Sequence, residues 1–310
     1  MGGSGGGGSS GGDGAALRRA VDEELRRQEL TAELNAVLAE LLAGLNDRDA
    51  GLVRDRLDQV QEALGDDAID VDRLLFGGSV AKHTYVDGLS DVDALVVVDA
   101  PSASPADLVE RFARALRSRL PMGEVESVEP GRLAVTVTYA DGTQLQLLPA
   151  VERDGRTSIA SEDGDQWRRI RPHKFAEKLT AANRANGDAV VPAIKLAKSA
   201  IAGLPEAHRL SGYHVEAIAV DAFRNYDGRR DRASVLHHLV DHAARAVLRP
   251  TGDITGQSVH VDDHLGAAGS ARRREVSASL ARLAARLRAA SSAQEYRRIF
   301  DHGGGTPPAS

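Results

Sequence analysis

Two short stretches carry residues able to do chemistry. Phe76-Gly77-Gly78-Ser79 ends an apolar run in two glycines and a hydroxyl. Glycines let a backbone approach a ligand closely. The N–H groups and hydroxyl at a following helix start form an anion site suited to phosphate. Twelve positions after Ser79 comes Ser90-Asp91-Val92-Asp93, leading into the β-branched run Val96-Val97-Val98. On a strand, period two sets Asp91 and Asp93 on one face. Two carboxylates held together beside a phosphate site call for divalent cations, and Mg²⁺ prefers a few carboxylates plus substrate phosphates. That is the layout of metal-assisted phosphoryl or nucleotidyl transfer. Each motif alone is common: a D-x-D on a solvated strand edge, a Gly-Gly-Ser in a turn. Together they are specific, because the acids open a strand that is otherwise apolar, where unpaired charge is expensive.

Those motifs need elements to hold them. Leu34, Val37, Leu38, Leu41, Leu42 and Leu45 recur at helical spacing within a helix expected from Leu17 to Leu45. Leu52, Leu57, Val60 and Leu64 predict a second helix, ending near Gly65. Val92 to Val98 reads as a buried strand. Ser104-Pro105 with Asp107 marks a helix start, with Leu108, Phe112 and Leu116 on one face. Leu133, Val135 and Val137 alternate with threonines before Asp141-Gly142, a hairpin signal, and a return strand is expected from Gln144 to Leu148, stopped by Pro149. Beyond Trp167 helices are expected over Pro172 to Asn183, Val191 to Leu204, Ser211 to Tyr226, Asp231 to Leu248 and Ser270 to Ala290. The reading divides the chain into a Gly/Ser tail (1–14), N-terminal helices (15–66), an α/β core (67–160), a helical domain (161–301) and a second coil tail (302–310).

The conjunction of Gly78-Ser79 with Asp91-Val92-Asp93 resembles the signature of the polymerase-β-type nucleotidyltransferase superfamily. Leu148-Pro149-Ala150 is similar to the end of the third catalytic strand in oligoadenylate synthetases and bacterial cGAS/DncV-like nucleotidyltransferases. Leu210-Ser211-Gly212-Tyr213-His214-Val215-Glu216 resembles a helix carrying a Ser and a Tyr near the nucleotide, and Pro250-Thr251-Gly252-Asp253 with Thr255-Gly256-Gln257-Ser258 a late segment of the same domain. The likeness covers most of residues 60–300. It implies an α+β fold, with a polymerase-β-type core of mixed sheet and helices plus a C-terminal helical domain. It also implies catalysis and Mg²⁺ or Mn²⁺ binding at Asp91 and Asp93, and nucleotide binding at Gly78, Ser79, Ser211, Tyr213 and Lys195 or Lys198. The implied activity is a cyclic-oligonucleotide synthase of a bacterial anti-phage (CBASS) operon, using NTPs such as ATP and GTP, with operon-encoded regulators or an effector as partners. Modification of a protein, an RNA end or a small molecule is the alternative, as is a degenerate nucleotide-binding protein.

One position departs from the family. The third carboxylate stands three residues before the proline, where this chain has Gln146. An amide is a weaker Mg²⁺ ligand and cannot act as a base. Asp141 or Glu152 could reach in as a substitute, though ordinary surface acids are the plainer reading. The remaining candidates each have a plain alternative too. Lys195 and Lys198 could form a solvated helix face, Ser211 a helix cap, and Tyr213 part of the core rather than a base-stacking ring. His238 and His242 have helical metal-ligand spacing without a third ligand. Asp262-Asp263-His264 reads as a helix entry, Arg168, Arg169 and Arg171 as a turn or a phosphate-facing rim, and Arg272-Arg273-Arg274 as a solvent-exposed helix face.

Composition narrows the class. Lys and Arg sum to 39 and Asp and Glu to 45, a formal charge of −6, so a nucleic-acid-coating protein is excluded and a nucleic-acid activator is not expected. There are no cysteines, which excludes disulfides, a thiolate nucleophile and Cys-ligated metal. No run is long and apolar enough to span a membrane. The opening residues lack the apolar segment of a signal peptide, so a cytoplasmic location is expected.

Overall fold

The computed structural model describes residues 11–46, 50–65, 71–76, 92–99, 103–153, 156–161, 164, 166–253 and 260–301. Two helices lead: α1 (Gly11–Asn46) and α2 (Ala50–Gly65). They are followed by β1 (Val71–Phe76), β2 (Val92–Val98), α3 (Pro105–Arg119), β3 (Val125–Pro130), β4 (Val135–Tyr139), β5 (Gln144–Arg153), β6 (Arg156–Ala160) and β7 (Trp167–Arg169). Helices complete the chain: α4 (Pro172–Ala185), α5 (Val190–Ala202), α6 (Gly212–Ala222), α7 (Arg232–Ala246), α8 (Ala271–Ala289) and α9 (Ala293–Phe300).

The strands form a single mixed sheet in the order β1-β2-β5-β4-β3, with β6 and β7 continuing from the far half of β5. Among the described strands, only β2 and β5 run parallel. Their connection carries α3, as a parallel crossover requires. That helix starts where Ser104 accepts from the Asp107 N–H at 3.2 Å, with Pro105 at its first turn. Leu108, Phe112 and Leu116 are fully buried against the sheet. One sheet face packs Ala94, Val96, Val98, Leu145, Leu147 and Val151 with α2 and α3. The opposite face holds a smaller apolar group of Leu95, Val97, Ala150, Ile159 and Ile170.

The expected α+β class, a mixed-sheet core followed by a helical region, is what the chain adopts. Several boundaries differ. The β5 strand does not stop at Pro149 but runs to Arg153. Along β5, pairing with β4 reaches Leu147 and pairing with β6 resumes at Ala150, so Pro149 falls in the gap between them, where that edge needs no donor. The sheet extends past residue 160 through β7, a short edge strand whose exposed arginines hide any alternation. Neither β3, β6, β7 nor α9 was expected from the pattern. Helix α1 begins at Gly11, inside the stretch assigned to coil.

The two leading helices serve different cores. Leu34, Val37, Leu38 and Leu42 of α1 are buried with the C-terminal helices. Asn35 accepts from the Ala233 N–H at 3.0 Å and donates to Asp231, the N-cap of α7. Leu57, Val60 and Leu64 of α2 belong to the sheet core. At the β4–β5 turn, Gly142 has φ +83°, a conformation that favours glycine.

Candidate active site

Strand register assembles the first part of the site. In the parallel β2–β5 pair, position 93 lies opposite Gln146 and position 94 opposite Leu147. Since Ala94 and Leu147 belong to the α3-side core, positions 93 and 146 share the other face. Gln146 is half-buried there and faces Thr136 across β4, which in turn pairs with Glu129 on β3. A polar row, Asp93–Gln146–Thr136–Glu129, thus crosses four strands of the sheet. Gly78, Ser79 and Asp91 lie outside the described residues.

The substitutes for a third acid are elsewhere. Asp141 sits in the β4–β5 turn, where its carboxylate takes a 2.7 Å bond from Arg56 of α2. That bond holds its pKa down to about 2. Arg56 in turn lies over the Tyr139 ring, 4.1 Å from its centroid. Burial raises the Tyr139 hydroxyl to about 12. Glu152 is six residues along β5 from Gln146, about 20 Å at the rise of a strand.

The second part lies on α5 and α6, which pack together. Ser211 caps α6, accepting from the His214 N–H at 3.2 Å. Tyr213 is half-buried, with its ring 4.9 Å from that of Phe175 and its hydroxyl donating to Asp253 at 2.7 Å. The two lysines differ. Lys195 is half-buried. Lys198 is buried and its ammonium is 2.7 Å from the buried Glu216 carboxylate. A solvated face is therefore excluded for Lys198; its ammonium is held inside the helical bundle.

His238 bonds the Ala222 carbonyl at 2.9 Å and His242 the Asp221 carboxylate at 3.2 Å, so the two rings face different partners. No cluster of three metal-ligating side chains occurs among the described residues. Arg273 is fully buried rather than exposed, and pairs at 2.7 Å with Asp262, itself fully buried. A signal for this was present: Arg273 falls on the same stripe as Val276, Leu280 and Leu287, at helical spacing.

The donor set of the sheet row has a chemical consequence. Its β2–β5 end offers one carboxylate position, 93, and one amide, Gln146, a set that fits a divalent cation sharing substrate phosphates rather than a closed all-protein cage.

With this geometry in place, likeness to known proteins is informative. Residues 30–183 match the family described as Second Messenger Oligonucleotide or Dinucleotide Synthetase domain. No curated protein matches the sequence. Among solved structures, the CD-NTase CdnG of Bradyrhizobium diazoefficiens in complex with GTP is 20% identical, with a TM-score of 0.65 over 86% of this chain and 95% of that one. CdnC of E. coli MS115-1 with ATP is 17% identical, with a TM-score of 0.65 over 88% and 98%. Vibrio cholerae DncV cyclic AMP-GMP synthase, bound to the linear intermediate 5′ pppA(3′,5′)pG, is 14% identical, with a TM-score of 0.60 over 94% and 89%. These chains share the fold. The domain over residues 30–183 belongs to the second-messenger oligonucleotide or dinucleotide synthetase family of nucleotidyltransferases, in a chain with the CD-NTase fold.

Proposed function

We propose that the protein joins nucleoside triphosphates into a cyclic oligonucleotide messenger. The observation that carries this reading is the β2–β5 register, which sets the second acid of the Asp-x-Asp pair beside the third-ligand position on one sheet face. Gly78 and Ser79 cradle the triphosphate, and Asp91 and Asp93 would hold a Mg²⁺ or Mn²⁺ ion against its oxygens. When bound, the cation neutralises phosphate charge and orients the reacting groups. Lys195 supplies a further positive charge to the phosphates. Ser211 and Tyr213, at the start of α6, meet the nucleoside, with the Tyr213 ring stacking on the base. A ribose hydroxyl of one nucleotide attacks the α-phosphorus of another in line. A phosphodiester forms, the α–β anhydride breaks, and pyrophosphate departs with the hydroxyl proton passing to solvent. Repetition and ring closure give the cyclic product. ATP and GTP are the proposed substrates, in line with the nucleotides bound by the CdnG and CdnC structures. The messenger acts on an operon-encoded effector in anti-phage defence, in the cytoplasm.

Gln146 favours a second reading, a degenerate enzyme that binds nucleotides without turning them over. Incubation with radiolabelled NTPs and Mg²⁺ or Mn²⁺, followed by chromatography, separates the two. A phosphatase-resistant product with pyrophosphate release is expected. Label on a macromolecule would point to a different acceptor, and saturable NTP binding without pyrophosphate would establish the degenerate reading.

A further inference from the structure

A buried ionic relay lies behind the start of α6. Arg273 of α8 is fully buried, yet every polar edge of its guanidinium is engaged. It donates to the carbonyls of Gly266 at 2.8 Å, Val247 at 3.0 Å and Arg249 at 3.1 Å, and to the Asp262 carboxylate at 2.7 Å and carbonyl at 3.2 Å. Asp262 also accepts from the Thr251 N–H at 2.9 Å. Its third partner is His214, whose Nε2 is 3.2 Å from the carboxylate and 3.1 Å from the Thr251 hydroxyl.

A buried charge costs several kcal/mol unless it is paired and fully hydrogen-bonded. Such an arrangement fixes something. What it fixes is the stem formed by residues 247–252 and 260–266, narrowed by the Gly252–His260 bridge and the Val261 N–H to Thr251 carbonyl bond at 2.9 Å. Two consecutive residues of α6 attach to that stem. His214 reaches Thr251 and Asp262, and Tyr213 donates to Asp253. The His214 ring serves this contact alone. Its Nδ1 is buried with no hydrogen-bond partner among the described residues, as a neutral ring with its proton on Nε2 leaves it. Burial, with Arg273 and His264 adding to it and Asp262 opposing, keeps that ring neutral, with a pKa near 4.

We propose that Arg273, Asp262 and His214 are positioning residues for nucleotide recognition, acting through the stem to hold the Tyr213 ring at the angle that receives a base. This rests on the reading above that the nucleoside meets α6 at Tyr213.

The test is equilibrium binding of ATP and of inorganic tripolyphosphate to the full chain with Mg²⁺, alongside thermal midpoints. His214→Gln and Arg273→Lys should weaken ATP binding on the order of tenfold and leave tripolyphosphate binding unchanged, because only the base is misplaced. Asp253→Asn and Tyr213→Phe leave the buried ions intact, so they keep the proposal testable if the relay variants do not fold. They should show the same base-dependent loss, of a few-fold. In a Tyr213→Ala background, His214→Gln should add no further loss. Equal weakening of ATP and tripolyphosphate, additive losses, or lowered thermal midpoints with unchanged ATP affinity would overturn the positioning role while leaving the nucleotide reading standing. If Tyr213→Ala itself leaves ATP binding unchanged, the nucleotide does not meet α6 there and both fail.

Discussion

On the proposed reading, Gln146 is the residue on which turnover depends most visibly. Its position was legible in the sequence: period two within Leu145-Gln146-Leu147, and the offset from Pro149, placed it on the face of the Asp-x-Asp strand. The register now sets it opposite Asp93. With one carboxylate fewer, the site carries less negative charge for a second cation. Gln146→Asp should therefore lower the Mg²⁺ or Mn²⁺ concentration for half-maximal pyrophosphate release, on the order of tenfold for one added charge at close range. Titrating the metal at saturating NTP checks this; an unchanged metal dependence would mean that the site is built around glutamine. The two acids themselves lend a second prediction. Asp91→Asn with Asp93→Asn should cut product formation by about 10² to 10³-fold or more, since several kcal/mol of charge stabilisation are lost. Full activity in that double variant would remove the cation from the reading. Arg273 was the residue least legible. Three adjacent arginines read as a solvated face, because charge is usually exposed. Only the stripe through Val276 and Leu280 hinted otherwise, and its partner Asp262 stands eleven residues away in a loop that no periodicity describes.

Among the elements, those with strong local signals were readable and those dependent on neighbours were not. Ser104, Ser211, Asp231, Ser270 and Ser292 each cap a helix with their own side chain. Of these, the first four stand at starts that the sequence had marked. Strand β7 has three residues and only one paired neighbour, so its existence depends on β6 rather than on its own pattern. The α5–α6 contact yields a prediction that separates two lysines. Lys198→Met removes the ammonium paired with the buried Glu216 carboxylate and should cost about 3 kcal/mol of unfolding free energy, which Lys198→Met with Glu216→Leu should largely restore. Lys195→Ala should instead leave urea midpoints nearly unchanged and weaken NTP binding several-fold, since its proposed role is charge toward phosphate. If Lys195→Ala is the destabilising change and leaves binding intact, the two roles are reversed.

At the scale of the whole molecule, one set of helices is stabilised by groups that acid disrupts. His214 has its pKa pushed down by burial to about 4 from 6.5, and burial lowers His237 as well. The folded chain keeps His214 neutral while the unfolded chain takes up a proton below pH 6.5. Stability is therefore fully present above 6.5 and falls as the pH drops toward 4, by about 1.4 kcal/mol per unit for one proton and roughly 3 kcal/mol in all. Asp262 adds a second loss at lower pH. Burial alone would raise it, but the bonds from Arg273 and the Thr251 N–H outweigh this and hold it below the ordinary carboxylate value of 3.8. Its contribution is present above that value and disappears as the pH falls through the lowered one. Both effects act on the C-terminal bundle, whose core α1 shares, and neither residue belongs to the sheet core. Denaturant unfolding from pH 7.5 to 4.5 should show a steady decline in the bundle's stability, and His214→Asn should flatten that slope by close to one proton. A slope unaltered by the substitution would place the acid sensitivity in His237 or the carboxylates and leave the His214 ring without a pH role.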